Sequence, residues 1–350
     1  MSAVPDEVSS RRRRLLGTAA AAYAFTTTMA GTTLPTPLYP LYTRELRINT
    51  LLVTVIFATY PVGVVAALIL FGRLSDQVGR RPVLIGGLLL SAASAVTFLL
   101  AHSLAPVLLG RALSGLSAGI FAGTATATIL DLSEGHGRRR AAGLATAANL
   151  GGLGLGSLLS GLLASFAAEP LRLPYGIDLG LLLVALGGLG LLLPETVERR
   201  RGIRLRPQRL HVPREGRRVF IRAVTSGSCG FAVSGVYGSV VPGFLAQPLH
   251  LSSPALSGLL VFLLFGLAIA GQFIATRLPE RMAMPAGSAA LAGGAALLTL
   301  AVALESFPAL LLAAAVTGLG QTVAITAGLA ALNALTPLKQ RGGVASSFFV

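Results

Sequence analysis

Long uncharged runs alternate with short polar breaks along the whole chain. Apolar stretches run over 15–37, 51–71, 83–101, 105–130, 141–166, 175–193, 219–244, 255–276, 284–304 and 308–335, and an eleventh begins near 342. An uncharged run of roughly 20 residues is long enough to cross a bilayer as a helix. Backbone groups in lipid must be satisfied within their own segment, so continuous runs predict helices. Barrel strands would instead alternate over roughly ten residues. The pattern predicts an all-α polytopic membrane protein with ten complete crossings and an incomplete last one.

The breaks carry most of the charge. Only 12% of the 350 residues are charged, against 53% hydrophobic, yet the net charge is +15. Such a balance leaves too little polar surface for a soluble globule, where about 25% is usual. With the N-terminus in the cytoplasm, 24 of the 28 Lys and Arg fall on the inner side. Arg44, Arg47 and Arg172 fall outside, and Arg111 lies within a span. This positive-inside bias makes the basicity topological and not a nucleic-acid footprint. It also places the expected protein in the cell membrane with a cytoplasmic tail at 1–14. Arg11 to Arg14 followed by Leu15 to Ala24 has the outline of a secretory signal, but the apolar run continues past any cleavage site and predicts a retained first helix.

The chemistry-bearing residues exclude several classes. A lone cysteine, Cys229, rules out an internal disulfide and a cysteine zinc cluster, and its setting predicts a small buried residue. The four histidines are scattered, and neither a nucleophile–base pair nor a metal or cofactor motif is present. The Gly-rich run Asn149–Gly161 lacks the strand and βαβ context of a dinucleotide site. Gly152 and Gly156, with Gly115 and Gly161, are instead expected at close helix crossings. Asn149, Gln272, Gln321 and Asn333, with Thr124, Thr126 and Thr128, are polar residues inside spans. They either line a substrate cavity or bond between helices.

The chain is also internally duplicated about the basic stretch Glu195–Arg222. The bundles are expected at 15–193 and 219–350, joined by a cytoplasmic linker over 194–218. Gly72–Pro82 aligns with Gly271–Met282, where Thr276 replaces Asp76. Ser114-Gly115-Leu116-Ser117 recurs as Thr317-Gly318-Leu319-Gly320, and Arg138–Gly143 recurs as Lys339–Val344. By that symmetry the second half lacks helices. The run ending at Phe348-Phe349-Val350 predicts a C-terminally truncated chain.

The loop Gly72-Arg73-Leu74-Ser75-Asp76-Gln77-Val78-Gly79-Arg80-Arg81-Pro82 resembles the signature between the second and third helices of the major facilitator superfamily of secondary transporters. That resemblance implies two pseudo-symmetric bundles of six and about five helices, the last incomplete, working by alternating access around a small-molecule site. It further implies a gating loop of Gly72, Asp76, Gly79, Arg80 and Arg81, with Asp76 latching the start of the eleventh helix near Gly342–Val344. The alternative is a solvated acid paired with Arg80 or Arg81. Arg111 matches the family's fourth-helix arginine, which implies proton coupling; an arginine that snorkels to the interface is the other reading. The first helix holds no acid; the nearest acids are Asp178, at the outer end of the sixth span, and Asp131, at the inner end of the fourth, and Asp178 is taken as the candidate proton carrier. The fifth span resembles the exporter motif, which implies efflux of a small organic solute by proton antiport. Ser157 stands in place of its proline and Ser160 in place of a glycine, however, so the kink that distinguishes exporters is lost and the lean toward efflux is weaker. Import of a sugar or metabolite, or a non-transporting sensor or channel, are the alternatives. No nucleic acid, enzyme activity or cofactor is expected, and the carrier is expected to act as a monomer in the lipid bilayer. The Leu193-Pro194-Glu195-Thr196 exit from the sixth helix is expected to carry no chemistry.

Overall fold

The computed structural model describes residues 4–72, 74–133, 137–197 and 217–335. Among them every regular element is helical: α1 Val4–Thr33, α2 Tyr39–Glu45, α3 Thr50–Phe71, α4 Ser75–Val78, α5 Arg80–Leu99, α6 Leu104–Asp131, α7 Arg138–Phe166, α8 Leu173–Leu192, α9 Arg217–Ser239, α10 Val241–Ala246, α11 Pro254–Ala275, α12 Glu280–Ala303 and α13 Phe307–Leu335. Nine helices among the described residues are long and apolar enough to cross a membrane. The expected first crossing, α1, is long enough at 30 residues but less apolar. Six threonines in its 15–33 segment dilute its hydropathy. The eleventh run, the latch partner at Gly342–Val344, the Lys339–Val344 repeat, Arg73 and most of the linker lie outside the described residues.

Prolines move two boundaries. The first run ends as a helix at Thr33 rather than near 37, because Pro35, Pro37 and Pro40 cannot continue the hydrogen-bond ladder. A short 3-10 turn at Thr36–Leu38 and α2 follow. The seventh run breaks after Ser239 and restarts as α10, with Pro242 in its first turn.

The chain divides into two compact units. Residues 1–32, 58–152 and 172–207 form the first, and residues 33–57, 153–171 and 208–350 the second. In the first unit α6 is central, with α5 joined to it by two buried hydroxyls. Ser94 Oγ donates to the Gly110 carbonyl and Ser117 Oγ to the Gly87 carbonyl, each at 2.7 Å. Both backbone acceptors lie at glycines, where the missing side chain lets the helices come together.

Gly115 of α6 lies against the backbone of α3. A Cβ added there would meet the Tyr60 carbonyl and stand 3.1 Å from the Gly63 Cα. In the second unit the repeat counterpart, Gly318 of α13, meets the Leu264 backbone of α11 in the same way. The duplication seen in sequence is thus a duplicated helix crossing. Among the expected packing residues, Gly152 fits against Thr26 and Met29 of α1, Gly161 against Pro254 and Ala255 of α11, and Gly156 is buried in α7.

Cys229 is exposed, contrary to the expectation of a buried residue. The packed face of α9 is taken by Gly227 and Gly230, the latter against Gln321 of α13, so Cys229 turns outward.

Candidate functional site

The first unit carries two clusters of ionisable side chains. One is built on the corner between α4 and α5. Gly79 makes that corner at φ 109°, a conformation that favours glycine. The turn leaves the first amides of α5 without partners inside the helix. Glu195, just past α8, fills the gap. Its Oε1 accepts the Arg80 amide at 2.7 Å and its Oε2 the Arg81 amide at 3.3 Å. A carboxylate at a helix start also meets the positive end of the helix dipole. A side chain on Gly79 would collide with that carboxylate.

The Arg80 guanidinium then gathers the remaining groups. Its Nη1 lies 2.6 Å from Asp76 Oδ1 and donates to Ser75 Oγ at 2.7 Å, and its Nε donates to Asp131 Oδ2 at 3.2 Å. Arg81 Nη2 donates to the Gly190 carbonyl of α8. Arg80 is 13% exposed whereas Asp76 is 59% exposed, so the arginine is the fixed centre and Asp76 its accessible partner. Gly72 donates its amide to the Leu68 carbonyl and closes α3. The loop residues expected from the sequence therefore converge. The expectation that Glu195 carries no chemistry is corrected, since it caps α5. No local signal pointed to it, because 115 residues separate it from Arg80.

The second cluster is buried at the end of α1. Helices leave their last carbonyls without partners. The carbonyl of Thr32, one residue before the end of α1, accepts Nη1 of Arg111 at 2.6 Å. Arg111 is 1% exposed, and its guanidinium stands 4.9 Å from the centre of the Tyr60 ring. A cation at a helix C-terminus and over an aromatic face is favourable on both counts. The side chain is enclosed and does not snorkel to the surface. Asp178 of α8 is 4% exposed and reaches the same turn: a Cβ on Gly31 would stand 2.9 Å from its Oδ2. The two residues singled out for coupling thus flank consecutive residues of one helix end, Gly31 and Thr32. Sequence reasoning chose both but had no means of seeing that α1 joins them.

The polar residues expected in a substrate cavity divide. In the second unit Gln321 Oε1 accepts from Ser234 Oγ at 2.6 Å, and Gln272 Oε1 accepts from Thr326 Oγ1 at 2.7 Å. Both amides therefore tie helices together. Thr126 and Thr128 donate to carbonyls four residues earlier in α6, at 2.8 and 2.7 Å, and Thr124 is buried. Asn149 is half-buried on α7. The side chain of Asn333 lies outside the described residues.

The sequence profile of the Major Facilitator Superfamily matches residues 20–350. The chain belongs to the Major Facilitator Superfamily. Two relatives agree with it. The chain is 41% identical over 71 residues, 20% of its length and 15% of the relative's, to the Inner membrane transport protein YajR of Escherichia coli K12. It is 26% identical over 139 residues, 40% of its length and 35% of the relative's, to the Quinolone resistance protein NorA of Staphylococcus aureus. The matches thus span less than half the length of either relative. This Major Facilitator Superfamily chain is a multi-pass membrane protein of a transport family, with the all-α fold its hydropathy predicts.

Proposed function

We propose that the protein is a secondary transporter that exports a small organic solute across the cell membrane in exchange for protons. The observation that carries this reading is the convergence of Arg111 and Asp178 on the last turn of α1. A charge inside a span costs roughly 2.5–3.5 kcal/mol on insertion scales and is kept where it has work to do. Asp178 is a carboxyl that can take up and release a proton, and Arg111 is a permanent cation holding the same helix end. A change in the charge of Asp178 alters the field at the turn that Arg111 grips. Proton transfer is thereby tied to the position of α1. Support for export comes from the likeness to a protein named for quinolone resistance.

In this reading the Asp76–Arg80–Asp131 cluster acts as the inner gate, with Glu195 holding the loop in shape. The N-terminus is cytoplasmic, since that orientation places 24 of the 28 basic residues inside. The test is flux in proteoliposomes containing the purified protein, with a fluorescent quinolone as probe and an imposed pH gradient. Asp178→Asn is expected to cut gradient-driven flux at least about tenfold while leaving exchange of probe across equal pH intact. Undiminished gradient-driven flux in Asp178→Asn would remove Asp178 from the coupling step. Probe accumulation in the opposite direction would favour an importer.

A further inference from the structure

Arg111, Gly115 and Gly119 recur every four residues and so share one face of α6. Both glycines pack on α3. Gly115 faces the backbone of Tyr60 and Gly63, and a Cβ on Gly119 would stand 2.7 Å from the Val64 carbonyl and 2.7 Å from the Ala67 side chain. Arg111 stands one turn earlier on that face, so its side chain meets α3 at Tyr60, whose ring centre lies 4.9 Å from the guanidinium carbon. The Tyr60 hydroxyl reaches the side chain of Thr32, the residue whose carbonyl accepts Arg111 Nη1 at 2.6 Å. One tyrosine thus touches both partners of the contact between α6 and α1.

That arrangement bears on Asp178. Its carboxyl is 4% exposed and reaches Gly31, the neighbour of Thr32 at the same helix end. Yet Asp178 makes no ion pair and no side-chain hydrogen bond among the described residues. A buried carboxylate and a buried guanidinium attract strongly, and a two-pronged pair is the geometry an arginine favours. Such a pair would hold Asp178 in its charged form and take its proton out of exchange. From these contacts we infer that Tyr60 is a positioning residue: its ring holds the Arg111 guanidinium on the Thr32 carbonyl and off the Asp178 carboxyl. The inference rests on the coupling roles proposed for Arg111 and Asp178.

The edge and the face of a guanidinium are separate binding surfaces. Its N–H groups point outward in the plane, where the Thr32 carbonyl takes one, and its face lies on the ring of Tyr60. Tyr60 therefore strengthens the hold on α1 without competing for the donors that make it. The ring is itself fixed from behind, because Gly115 lets α6 close on the Tyr60 backbone. Without the ring the guanidinium is loosened, and a carboxylate becomes the stronger partner.

The test is the rate at which dicyclohexylcarbodiimide, an apolar reagent for protonated carboxyls, modifies Asp178 of the full chain in lipid nanodiscs, read by peptide mass. No gradient or flux enters it. Undiminished gradient-driven flux in Asp178→Asn would end the coupling reading while leaving these rates as they are. Asp178 of the unaltered chain is expected to be modified, and Tyr60→Phe, which keeps the ring, should match it. Tyr60→Leu is expected to slow the reaction at least about fivefold. Adding Arg111→Gln to Tyr60→Leu should restore the rate, since the competing cation is gone. Pentafluorophenylalanine at position 60 keeps the shape and reverses the charge of the ring face, so it should slow the reaction without lowering the thermal midpoint, and it carries the test if Tyr60→Leu does not fold. An unmodified Asp178 in the unaltered chain overturns the inference. So does an unchanged rate with leucine or with the fluorinated ring. A double variant as slow as Tyr60→Leu assigns the loss to packing and overturns it as well.

Discussion

Arg80 and Arg111 illustrate how differently two arginines of one unit are held. Arg80 sits among two carboxylates and a serine, and part of that arrangement is legible in the sequence. Asp76 and Arg80 are four residues apart, a spacing at which helical side chains meet. Glu195 is not legible, since its contact with the Arg80 amide spans 115 residues and depends on how α8 returns to α5. Its role predicts a stability effect. Glu195→Gln keeps an acceptor but loses the charge facing the start of α5, and is expected to cost about 1 kcal/mol. A lowered midpoint in thermal unfolding of the detergent-solubilised protein would report it, whereas Glu195→Asp should recover part of the loss. Arg111 was legible as a buried charge but not as the partner of the α1 end. Nothing in the α1 sequence marks Thr32 as the carbonyl left open. Asp178 belongs to the same scale, and retained exchange in Asp178→Asn is what separates a coupling defect from a folding defect.

Among the helices, close crossings were the most readable feature after hydropathy. The recurrence of Ser114-Gly115-Leu116-Ser117 as Thr317-Gly318-Leu319-Gly320 becomes, in each unit, one glycine set against a neighbouring backbone. The consequence is steep position dependence. Gly115→Leu forces α3 and α6 apart and is expected to destabilise the first unit by about 3 kcal/mol. Gly123→Ala, eight residues along the same helix, meets nothing within 4 Å and should be silent. Thermal unfolding of the two variants side by side checks the contrast, and equal midpoints would contradict the crossing. The breaks within the first and seventh runs were less readable, because apolar periodicity continues across them. The prolines that cause them were visible, but a proline ends a helix in one setting and kinks it in another. Cys229 shows the same limit: which side of α9 faces a neighbour is decided by its glycines.

For the whole molecule, hydropathy and charge placed the chain in the membrane, and the family match agrees with that placement. The orientation we propose predicts labelling. In a Cys229→Ser background, Ser103→Cys on the exposed link between α5 and α6 should react with an impermeant maleimide on intact cells. Arg139→Cys at the start of α7 should react only after the membrane is opened. The opposite pattern would invert the topology. The assembly of the first unit is shaped by where its cap lies in the chain. Synthesis runs at about 5–20 residues per second, so roughly 6 to 23 seconds pass between Arg80 and the residue that caps it, 115 residues later. Until then the first amides of α5 lack the Glu195 carboxylate that caps them in the folded chain. The Glu195 contact can therefore form only once the first six hydrophobic segments have been made, which ties the start of α5 to a residue beyond the end of α8.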